Sequence, residues 1–444
     1  MAPPRKIPRR TVLRHGLAGL ATVMAGRLVA GCSGSGGGGD GGIDGARADG
    51  GSDAGRPDAL ADRGAGDAGM DAGSDPFPPR DIPEPPALRS LIADIGPLGD
   101  PDENGVRLPE GFTSRVIARG GEVVPGSGYE WHLAADGGAV FATEDGGWIY
   151  ACNSEVPLIG GVGAVRFDSS GNIVDAYPML RETHVNCAGG KTPWHTWLSC
   201  EEVANGRVFE CDPWGEGAPV VRLALGVFKH EAAAVDPDEG HVYLTEDEGD
   251  GCFYRFVPER MNARGNPDLT SGTLQVAVVD GSGGVTWQDV PDPRYEGDTP
   301  TRDQVADATR FDGGEGIWYH DRRVYFSTKG TDRIWELDID AGRIETIYDA
   351  ATSPDPILTG VDNVTVSCCG DVLVAEDGGD MQVVAILPSG DLEPLLQVVG
   401  QDSSEITGPA FDPSGTRLYF SSQRGGDGGG GITYEIQGPF HEPA

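Results

Sequence analysis

The sequence predicts an all-β protein, a six-bladed β-propeller that follows a signal segment and a disordered polar tether. From residue 86 onward, short apolar runs rich in Val, Ile, Tyr, Phe and Trp alternate with Asp-Gly, Ser-Gly and Pro-Asp turns. This alternation is typical of β-strands joined by tight loops. One strand type then recurs along this part of the chain, and such recurrence is typical of propeller blades.

The recurring strand has six copies between residues 86 and 444. The copies are Ala139–Asp145, His195–Glu202, His241–Asp247, Arg323–Lys329, Asp371–Asp377 and Arg417–Gln423. Six copies predict six blades in one large domain. A two-sheet β-sandwich is the alternative, but its strands need not share a motif at one strand end, which favours the propeller.

Residues 1–31 predict an export signal. They contain six basic residues and no acidic one, and Arg9-Arg10 followed by Thr11-Val12-Leu13 is typical of the twin-arginine route. The segment Val29-Ala30-Gly31-Cys32 resembles a bacterial lipobox, in which the cysteine carries lipid. We therefore predict a periplasmic or cell-surface lipoprotein attached to the membrane through Cys32. A soluble exported protein and a retained signal anchor are the alternatives.

Residues 32–85 predict a flexible tether. This stretch consists mainly of Gly, Ala, Ser and Asp and has almost no large apolar side chain. Such a composition cannot bury enough surface to offset the entropy of ordering the chain.

The overall charge argues against nucleic acid as a partner. The chain has 33 Lys and Arg against 70 Asp and Glu, a formal net charge of −37. Proteins hold phosphate backbones mainly with Lys and Arg, so this balance opposes binding to polyanions.

The acidic ends of the recurring strands predict metal ions. If each copy were the innermost strand of its blade, these ends would lie at one height and face the central channel. The acids concerned are Glu144, Asp145, Glu201, Glu202, Glu246, Asp247, Glu376 and Asp377. Carboxylates held close together need cations to remain ionised. Solvated turn residues on an acidic surface are the alternative interpretation.

The donor types indicate more than one kind of metal. Carboxylate oxygens suit Ca²⁺, whereas a thiolate such as that of Cys200 prefers a transition metal. The sequence leaves the pairing of the other cysteines open; they are Cys152, Cys187, Cys211, Cys252, Cys368 and Cys369.

Several segments resemble the PhoX alkaline phosphatase family over residues 95–437. They include Thr196–Glu202, Gly226–Glu231, Gly314–Gly316, Val361–Asn363 and Glu405–Phe411. The resemblance implies a six-bladed propeller that hydrolyses phosphomonoesters with a cluster of Fe³⁺ and Ca²⁺. Phosphorylated small molecules would be the substrates, and we expect a monomer.

The resemblance also implies roles for particular residues. Cys200, Glu231 and Glu315 are the expected iron ligands, and Glu201, Glu202, Glu246, Asp247 and Glu376 the expected calcium or shared ligands. Glu315, His230 and Lys329 are the expected catalytic residues. Gly313 and Gly314 stand where the family implies an arginine that anchors phosphate, and Lys329 or Lys229 could replace it.

Two other functions remain open at this point. A calcium-dependent lactonase of the six-bladed type would use Glu315, Asp362 and Asn363 in the channel. A non-catalytic, calcium-stabilised surface propeller would account for the anchor and for the missing arginine.

Overall fold

The computed structural model describes residues 76–354, 356–426 and 429–444. The predicted signal at 1–31, Cys32 and the tether up to residue 75 lie outside the described residues. The strands in chain order are β1 (Leu88–Ser90), β2 (Val106–Arg107), β3 (Thr113–Arg119), β4 (Ala135–Ala142), β5 (Trp148–Ser154), β6 (Gly160–Phe167), β7 (Ile173–Thr183), β8 (Asn186–Lys191), β9 (Trp197–Glu201), β10 (Val208–Cys211), β11 (Val220–Val221), β12 (His230–Val235), β13 (Val242–Glu246), β14 (Phe253–Pro258), β15 (Gly272–Val279), β16 (Val285–Asp289), β17 (Gly314–His320), β18 (Arg323–Thr328), β19 (Arg333–Asp338), β20 (Arg343–Asp349), β21 (Val361–Val366), β22 (Val372–Glu376), β23 (Gln382–Ile386), β24 (Leu392–Val398), β25 (Ile406–Phe411), β26 (Arg417–Ser422), β27 (Ile432–Gln437) and β28 (His441–Pro443). Three short 3₁₀ helices span Ile92–Asp94, Leu223–Leu225 and Thr301–Asp303.

The strands form six antiparallel blades, as the sequence predicts. In order, the blades are β4-β5-β6-β7, β8-β9-β10-β11, β12-β13-β14-β15-β16, β17-β18-β19-β20, β21-β22-β23-β24-β2 and β25-β26-β27-β3. The first strands of consecutive blades contact one another around the whole ring, so they are the inner strands. The sixth blade takes its outer strand, β3, from the N-terminal side of the domain, which closes the ring.

The prediction that the recurring strand is innermost is wrong for five blades. The copies in blades two to six fall on β9, β13, β18, β22 and β26, which are the second strands. Because an inner strand and its neighbour run antiparallel, the end of the second strand and the beginning of the inner strand lie at one end of the blade. We call this end of the propeller the cluster end. The hairpins that join inner to second strands define the opposite, turn end.

Small residues let the inner strands approach closely around the axis. A Cβ added to Gly316 would lie 2.3 Å from the backbone nitrogen of Val364, and one added to Gly137 would lie 2.5 Å from the Cα of Ala188. Gly408, with φ at +60°, leaves no room for a Cβ beside the carbonyl oxygen of Asp136. The channel is therefore narrow just below the cluster end.

Apolar side chains fill the spaces between neighbouring blades. Between blades two and three, for example, Leu198 and Val208 pack with Ala233 and Leu244 in one buried cluster. The burial of these side chains on both faces of each sheet holds the blades together. Among the described residues, no helix is long and apolar enough to span a bilayer.

The last part of the predicted tether packs against the propeller. Phe77 is buried, and the Arg80 guanidinium lies 4.2 Å from the centre of the Trp214 ring. Arg80 also pairs with Asp212 and Glu216. The end of the tether, predicted at residue 85, therefore lies too far along the chain, because Phe77 is already buried and Arg80 already contacts residues of blade two.

Candidate metal centre

Each inner strand carries a β-bulge near its first residues, at the cluster end. In five blades the register shifts directly after the first strand pair, as between His230 and Ala233 in β12, and in β25 it shifts one residue later. A bulge redirects the side chains around it. The residues at this position form a ring of Asp136, Cys187, Glu231, Glu315, Asp362 and Thr407, which we call the inner ring.

A second ring lies beside the first. It consists of the residues that follow the last paired position of each second strand: Glu155, Glu202, Asp247, Lys329, Asp377 and Gln423. We call it the outer ring. The side chains of Asp247 and Asp377 are about a quarter exposed, at 26% and 27%. Glu231 and Glu315 of the inner ring are buried, so the outer ring faces solvent around Asp247 and Asp377, although its member Gln423 is buried, and the inner ring lies beneath these acids.

Three inner-ring carboxylates meet at the centre of the channel. Glu231, Glu315 and Asp362 each place an oxygen within 4.8 Å of the others, and all three are buried. Neither carboxylate oxygen of Glu231 accepts a hydrogen bond in the described part of the chain, and Oε1 of Glu315 likewise accepts none. Buried carboxylates without hydrogen bonds are unfavourable unless a cation binds them. This arrangement fits a metal ion.

Two further groups extend the site across blades one, two and six. Glu155, Cys187 and Glu202 place one sulfur and two oxygen atoms within 4.8 Å of one another. Asp136, Glu155 and Glu405 form the other group, with the same limit on their distances. Glu155 belongs to both groups and joins them into one continuous acidic site.

The acids of the site oppose one another's ionisation. Burial raises the pKa of Glu231 well above its usual value, and the charges of Glu315 and Glu202 raise it further. Burial and the Glu405 charge raise the pKa of Asp136 in the same way. Burial, followed by the Asp136 and Glu231 charges, also raises the pKa of the Cys187 thiol. Bound cations would reverse these shifts by stabilising the ionised forms.

Three cations reach this site from its rim. Lys329 Nζ lies 2.8 Å from Asp362 Oδ2, 2.7 Å from Asp377 Oδ2 and 3.5 Å from Glu315 Oε1. Lys229 Nζ bridges Glu202 at 2.8 Å and Asp247 at 2.6 Å. Arg424 donates to Glu405 at 3.1 Å and lies 3.7 Å from Asp377.

The positive charge of these three side chains does not balance the negative charge of the acids around them. Nine carboxylates surround them: Asp136, Glu155, Glu202, Glu231, Asp247, Glu315, Asp362, Asp377 and Glu405. Burial works to raise the pKa of Asp247 and Asp377, but Lys229 and Lys329 outweigh it and lower both. The negative charge of the other acids stays unbalanced by these side chains, and multivalent cations would balance it.

Six of the predicted acidic, metal-ligating and catalytic residues come together here. Glu202, Asp247 and Asp377 lie in the outer ring, Glu231 and Glu315 in the inner ring, and Lys329 pairs with acids of both. Lys229, the other predicted anchor, is at the rim. Their assignment as metal ligands or catalytic residues stays a prediction, but the geometry places them in one site.

Cys200 does not lie in this site. Its side chain is buried in the apolar cluster between blades two and three, among Leu198, Val208 and Phe228. The thiol that reaches the acids is that of Cys187, on the neighbouring inner strand. Burial raises the pKa of the Cys200 thiol, with a smaller contribution from Glu201, which keeps it neutral. The interpretation of Cys200 as a ligand placed the thiol on the wrong strand.

Glu201, Glu246 and Glu376 also lie away from the two rings. Each is the last residue of its second strand, and its carboxylate accepts backbone N–H groups: those of His184 and Arg207, of Cys252, and of Thr359 and Gln382 respectively. Side chains alternate along a strand, so the residue before an outer-ring acid points to the other side. These three glutamates stabilise turns.

His230 is separated from the acids by the same alternation. Its ring lies 3.6 Å from that of Phe228, and Nε2 lies 3.0 Å from the carbonyl oxygen of Gly226. Burial lowers the pKa of His230 to about 3. The neutral imidazole packs against Phe228, and the expected catalytic role finds no support in these contacts.

Glu144 and Asp145 lie at the turn end. Asp145 accepts hydrogen bonds from Thr143 and Gly147 and pairs with Arg166 at 2.8 Å. Both acids are exposed. The copy Ala139–Asp145 is on an inner strand that runs toward the turn end, so its acids were wrongly predicted to face the channel.

Sequence reasoning missed Asp136, Glu155, Cys187, Glu405 and Arg424 as site residues. One signal could have found part of this set. Cys187 precedes Glu202 by 15 residues, and Asp362 precedes Asp377 by 15. This is the length of one hairpin, so a search for polar residues one hairpin before each acidic strand end would have pointed to Cys187 and Asp362.

Comparisons with known proteins agree with this fold. A family model described as alkaline phosphatase PhoX matches residues 159–211 and 204–343, which include Cys187, Glu231 and Glu315. No curated protein sequence matches the chain. The solved structure of Pseudomonas fluorescens PhoX in complex with vanadate, a transition state analogue, superposes with a TM-score of 0.61 at 18% identity, covering 79% of this chain and 98% of that chain.

Other solved structures resemble the chain less well. XC5397 from Xanthomonas campestris, described as a gluconolactonase, gives a TM-score of 0.42 at 15% identity and covers 82% of this chain and 99% of that one. A Bacteroides thetaiotaomicron protein of unknown function gives 0.48 at 10% identity, over 76% and 84%. The family match and the six-bladed fold support an enzyme of the phosphatase class. They confirm the resemblance predicted from the sequence: residues 159–343 are similar to the alkaline phosphatase PhoX family, and the six-bladed fold is similar to that of a solved PhoX structure.

Proposed function

We propose that this protein is a metal-dependent phosphomonoesterase whose active site lies at the cluster end of the propeller. The observation that carries the proposal is the set of buried oxygens on Glu231 and Glu315, beside Asp362, that accept no hydrogen bond in the described part of the chain. Such oxygens fit metal ions, and the family match supports phosphate ester hydrolysis as the reaction.

The donor atoms favour two kinds of metal. The group with Cys187 combines a thiolate with the carboxylates of Glu155 and Glu202, a donor set that suits a transition metal, and we assign Fe³⁺ to it. The all-oxygen groups, one around Glu231 and one around Asp136, suit Ca²⁺. Bound metals would polarise the phosphoryl oxygens and stabilise negative charge in the transition state.

The chain's own cations would bind the phosphate group of the substrate. The side chains of Lys229, Lys329 and Arg424 are 25%, 35% and 37% exposed, so all three are within reach of a ligand that enters from solvent. Charge-assisted hydrogen bonds to phosphate orient the ester and hold its charge. These residues would perform the role of the arginine that Gly313 and Gly314 replace. Arg424, which can bind phosphate through two N–H groups, is the best suited of the three.

The narrow channel floor restricts the direction of approach. Gly137, Ala188 and Gly316 bring the inner strands together beneath the acids. A substrate therefore enters from the side of the outer ring, with its phosphate toward the buried carboxylates and its alcohol portion toward solvent. Phosphorylated small molecules of varied structure fit this arrangement.

The test compares two thiols. We expect wild-type protein to contain iron and calcium and to hydrolyse a generic phosphomonoester, and we expect Cys187→Ser to lose iron and activity. Cys200→Ser is the matched control, since both thiols are buried on adjacent strands but only Cys187 reaches the acids. Iron retained in Cys187→Ser, together with iron lost in Cys200→Ser, would contradict the assignment of the metal centre.

The lactonase alternative is less well supported by the geometry of Asn363. This amide donates to Asp362 at 2.7 Å, and its oxygen accepts the Gly408 N–H at 2.8 Å. Both ends of the side chain are therefore engaged within the protein, which leaves it poorly placed to bind a calcium ion. Opening of a lactone by the calcium-loaded protein would favour this alternative.

We also propose that the protein acts outside the cytoplasm as a lipoprotein. The support is the sequence of residues 1–31 and the lipobox-like segment before Cys32, both outside the described residues. In cells, Cys32→Ser is expected to release the protein from the membrane fraction, and Arg9→Lys combined with Arg10→Lys to block export. Membrane association that persists in Cys32→Ser would contradict the lipid anchor.

A further inference from the structure

We propose that Cys368, Cys369 and His441 form a second metal site, at the turn end, that binds a thiolate-preferring transition metal such as Zn²⁺. The two sulfur atoms and a ring nitrogen of His441 all lie within 4.8 Å of one another. Two thiols and an imidazole are a common zinc donor set, with a fourth position left for water or another ligand.

The state of His441 points independently to a ligand. This side chain is only 3% exposed, and its Nε2 has no hydrogen-bond partner in the described part of the chain. Its Nδ1 lies 2.8 Å from the carbonyl oxygen of Gly415, so the proton belongs on Nδ1 and the lone pair on Nε2. Metal-binding histidines generally donate their other ring N–H to a carbonyl or carboxylate in this way.

The turn that carries the thiols is well ordered by its own hydrogen bonds. Cys368 and Cys369 lie in the hairpin between β21 and β22. The Ser367 hydroxyl accepts the N–H groups of Cys369 and Asp371 and donates to the Asp371 carboxylate at 2.7 Å. Cys368 is exposed, so a metal can enter from solvent. The two sulfur atoms are 3.5 Å apart and face the same region.

The site would connect the chain's terminal strands to blade five. His441 belongs to β28, which pairs with β1 from the other end of the domain, and Ser90 is its partner in the register. Cys369 Sγ also lies 3.3 Å from the carbonyl oxygen of Leu88 in β1. A metal held here would fix this two-stranded sheet against the hairpin of blade five. Binding would release the thiol protons and involve no oxidation.

The site is independent of the phosphatase centre. It lies on the β21–β22 hairpin, at the far end of β21 from Val361 and Asp362. A strand of six residues spans roughly 20 Å, so one metal could not serve both places. Loss of metal at the turn end and loss of metal at the cluster end can therefore be observed separately.

The experiment uses Co²⁺ as a spectroscopic probe. Cys187→Ser serves as the background, because its thiol could also bind cobalt. In this background we expect Co²⁺ to give thiolate-to-cobalt charge-transfer absorption and the visible bands of a tetrahedral site. Cys368→Ser combined with Cys369→Ser should abolish both, and Zn²⁺ should displace the cobalt.

Two histidine variants separate ligand loss from structural damage. His441→Asn can keep the hydrogen bond to Gly415 but lacks a nitrogen at the Nε2 position, so we expect Zn²⁺ affinity to fall at least about tenfold. His320→Ala, a nearby half-buried histidine outside the group, is the control and should leave the affinity unchanged. In the Cys187→Ser background, Zn²⁺ should raise the melting temperature more in the His320 variant than in the double serine variant.

Either of two results would overturn the site. The first is cobalt–thiolate absorption that survives loss of both Cys368 and Cys369. The second is a native protein in which mass spectrometry finds these cysteines joined to each other and in which reduction does not restore Zn²⁺ binding.

Discussion

The two ends of the propeller are both rich in acids, but they use them differently. At the turn end, Asp412 accepts the N–H groups of Thr416 and Arg417 at 3.0 and 2.9 Å, and Asp236 pairs with Arg322 at 2.8 Å. At the cluster end, the buried oxygens of Glu231 accept no hydrogen bond from the described residues. Acids at the turn end stabilise the hairpins, whereas the acids of the inner and outer rings at the cluster end are arranged for a ligand.

This difference shows which property marks a functional carboxylate. Acidic residues alone do not, because Glu144-Asp145 and Glu376-Asp377 have the same sequence character but lie at opposite ends. The distinguishing property is the mismatch between burial and hydrogen bonding. The bulge in each inner strand creates this mismatch by turning one side chain into the channel.

The largest expected effect comes from neutralising an acid at the cluster end. Glu231→Gln keeps the volume of the side chain but replaces the carboxylate by an amide, so the negative charge that would bind the metal is lost. We expect phosphatase activity to fall at least about a hundredfold, since a metal contributes several kcal/mol to stabilising the transition state. Asp145→Asn, at the turn end, is the control. Metal content and steady-state kinetics measure both, and equal losses in the two variants would remove the distinction between the ends.

Metal removal should make the stability depend on pH in a defined direction. Burial raises the pKa of Glu231 and Glu315 well above the usual value in the folded, metal-free protein. From about pH 4.5 upward the unfolded chain ionises these groups first, so the folded state binds more protons. The free energy of unfolding of the chelated protein should therefore fall as pH rises above this value. Burial also raises the pKa of Glu246 and Glu376 to about 7, and these turn-stabilising groups act in the same direction with or without metal.

Thermal unfolding with and without chelator, at about pH 5 and about pH 8, tests this dependence. We expect the chelated protein to be less stable at the higher pH and the metal-loaded protein to change less, because only Glu246 and Glu376 then contribute to the fall. Asp247 and Asp377 work against the trend, because the lysines lower the pKa of each. A chelated protein that gains stability toward the higher pH would contradict the repulsion inferred among the buried acids.

A smaller effect is expected when a cation is removed from each end. Lys329→Met takes one charge-assisted hydrogen bond from the phosphate group, a loss of about 1.5–3 kcal/mol, so KM for a phosphomonoester should rise about tenfold or more. Arg322→Met removes a cation that pairs with Asp236 and Asp340 at the turn end. It should lower stability and leave KM unchanged. An unchanged KM in Lys329→Met would exclude this lysine as a phosphate anchor.

The sequence was sufficient to predict the blades but not the roles of the strands within them. Strand length, turn residues and recurrence predicted six units, and the structure has six. The most regular strand proved to be the second strand of five blades. The inner strands are less regular because each carries a bulge and small residues such as Gly316, which allow close packing around the axis.

The site was predictable where a motif was distinctive and not where only spatial proximity defines it. Glu231 and Glu315 follow from the family resemblance, and both reach the inner ring. The sequence predicted Cys200 rather than Cys187 as the ligand. Alternation along two antiparallel strands decides which thiol faces the channel, and the sequence alone does not give the register of those strands. Glu155 and Glu405 come from blades one and six, which are distant in the sequence and adjacent only after the ring closes.

The smallest expected effect concerns a turn-end acid that the sequence alone would rank equal to those of the cluster. Asp412→Ala removes the acceptor for two backbone N–H groups and for the Ser414 hydroxyl, so the free energy of unfolding should fall by about 1–2 kcal/mol. Asp412→Asn retains one carbonyl acceptor and should recover most of this loss. Denaturant titration measures the change, while metal content and KM should remain those of the wild type. If Asp412→Ala instead lost metal, the hairpins would be coupled to the channel. The inferred difference in role between the acids of the two ends would then be wrong.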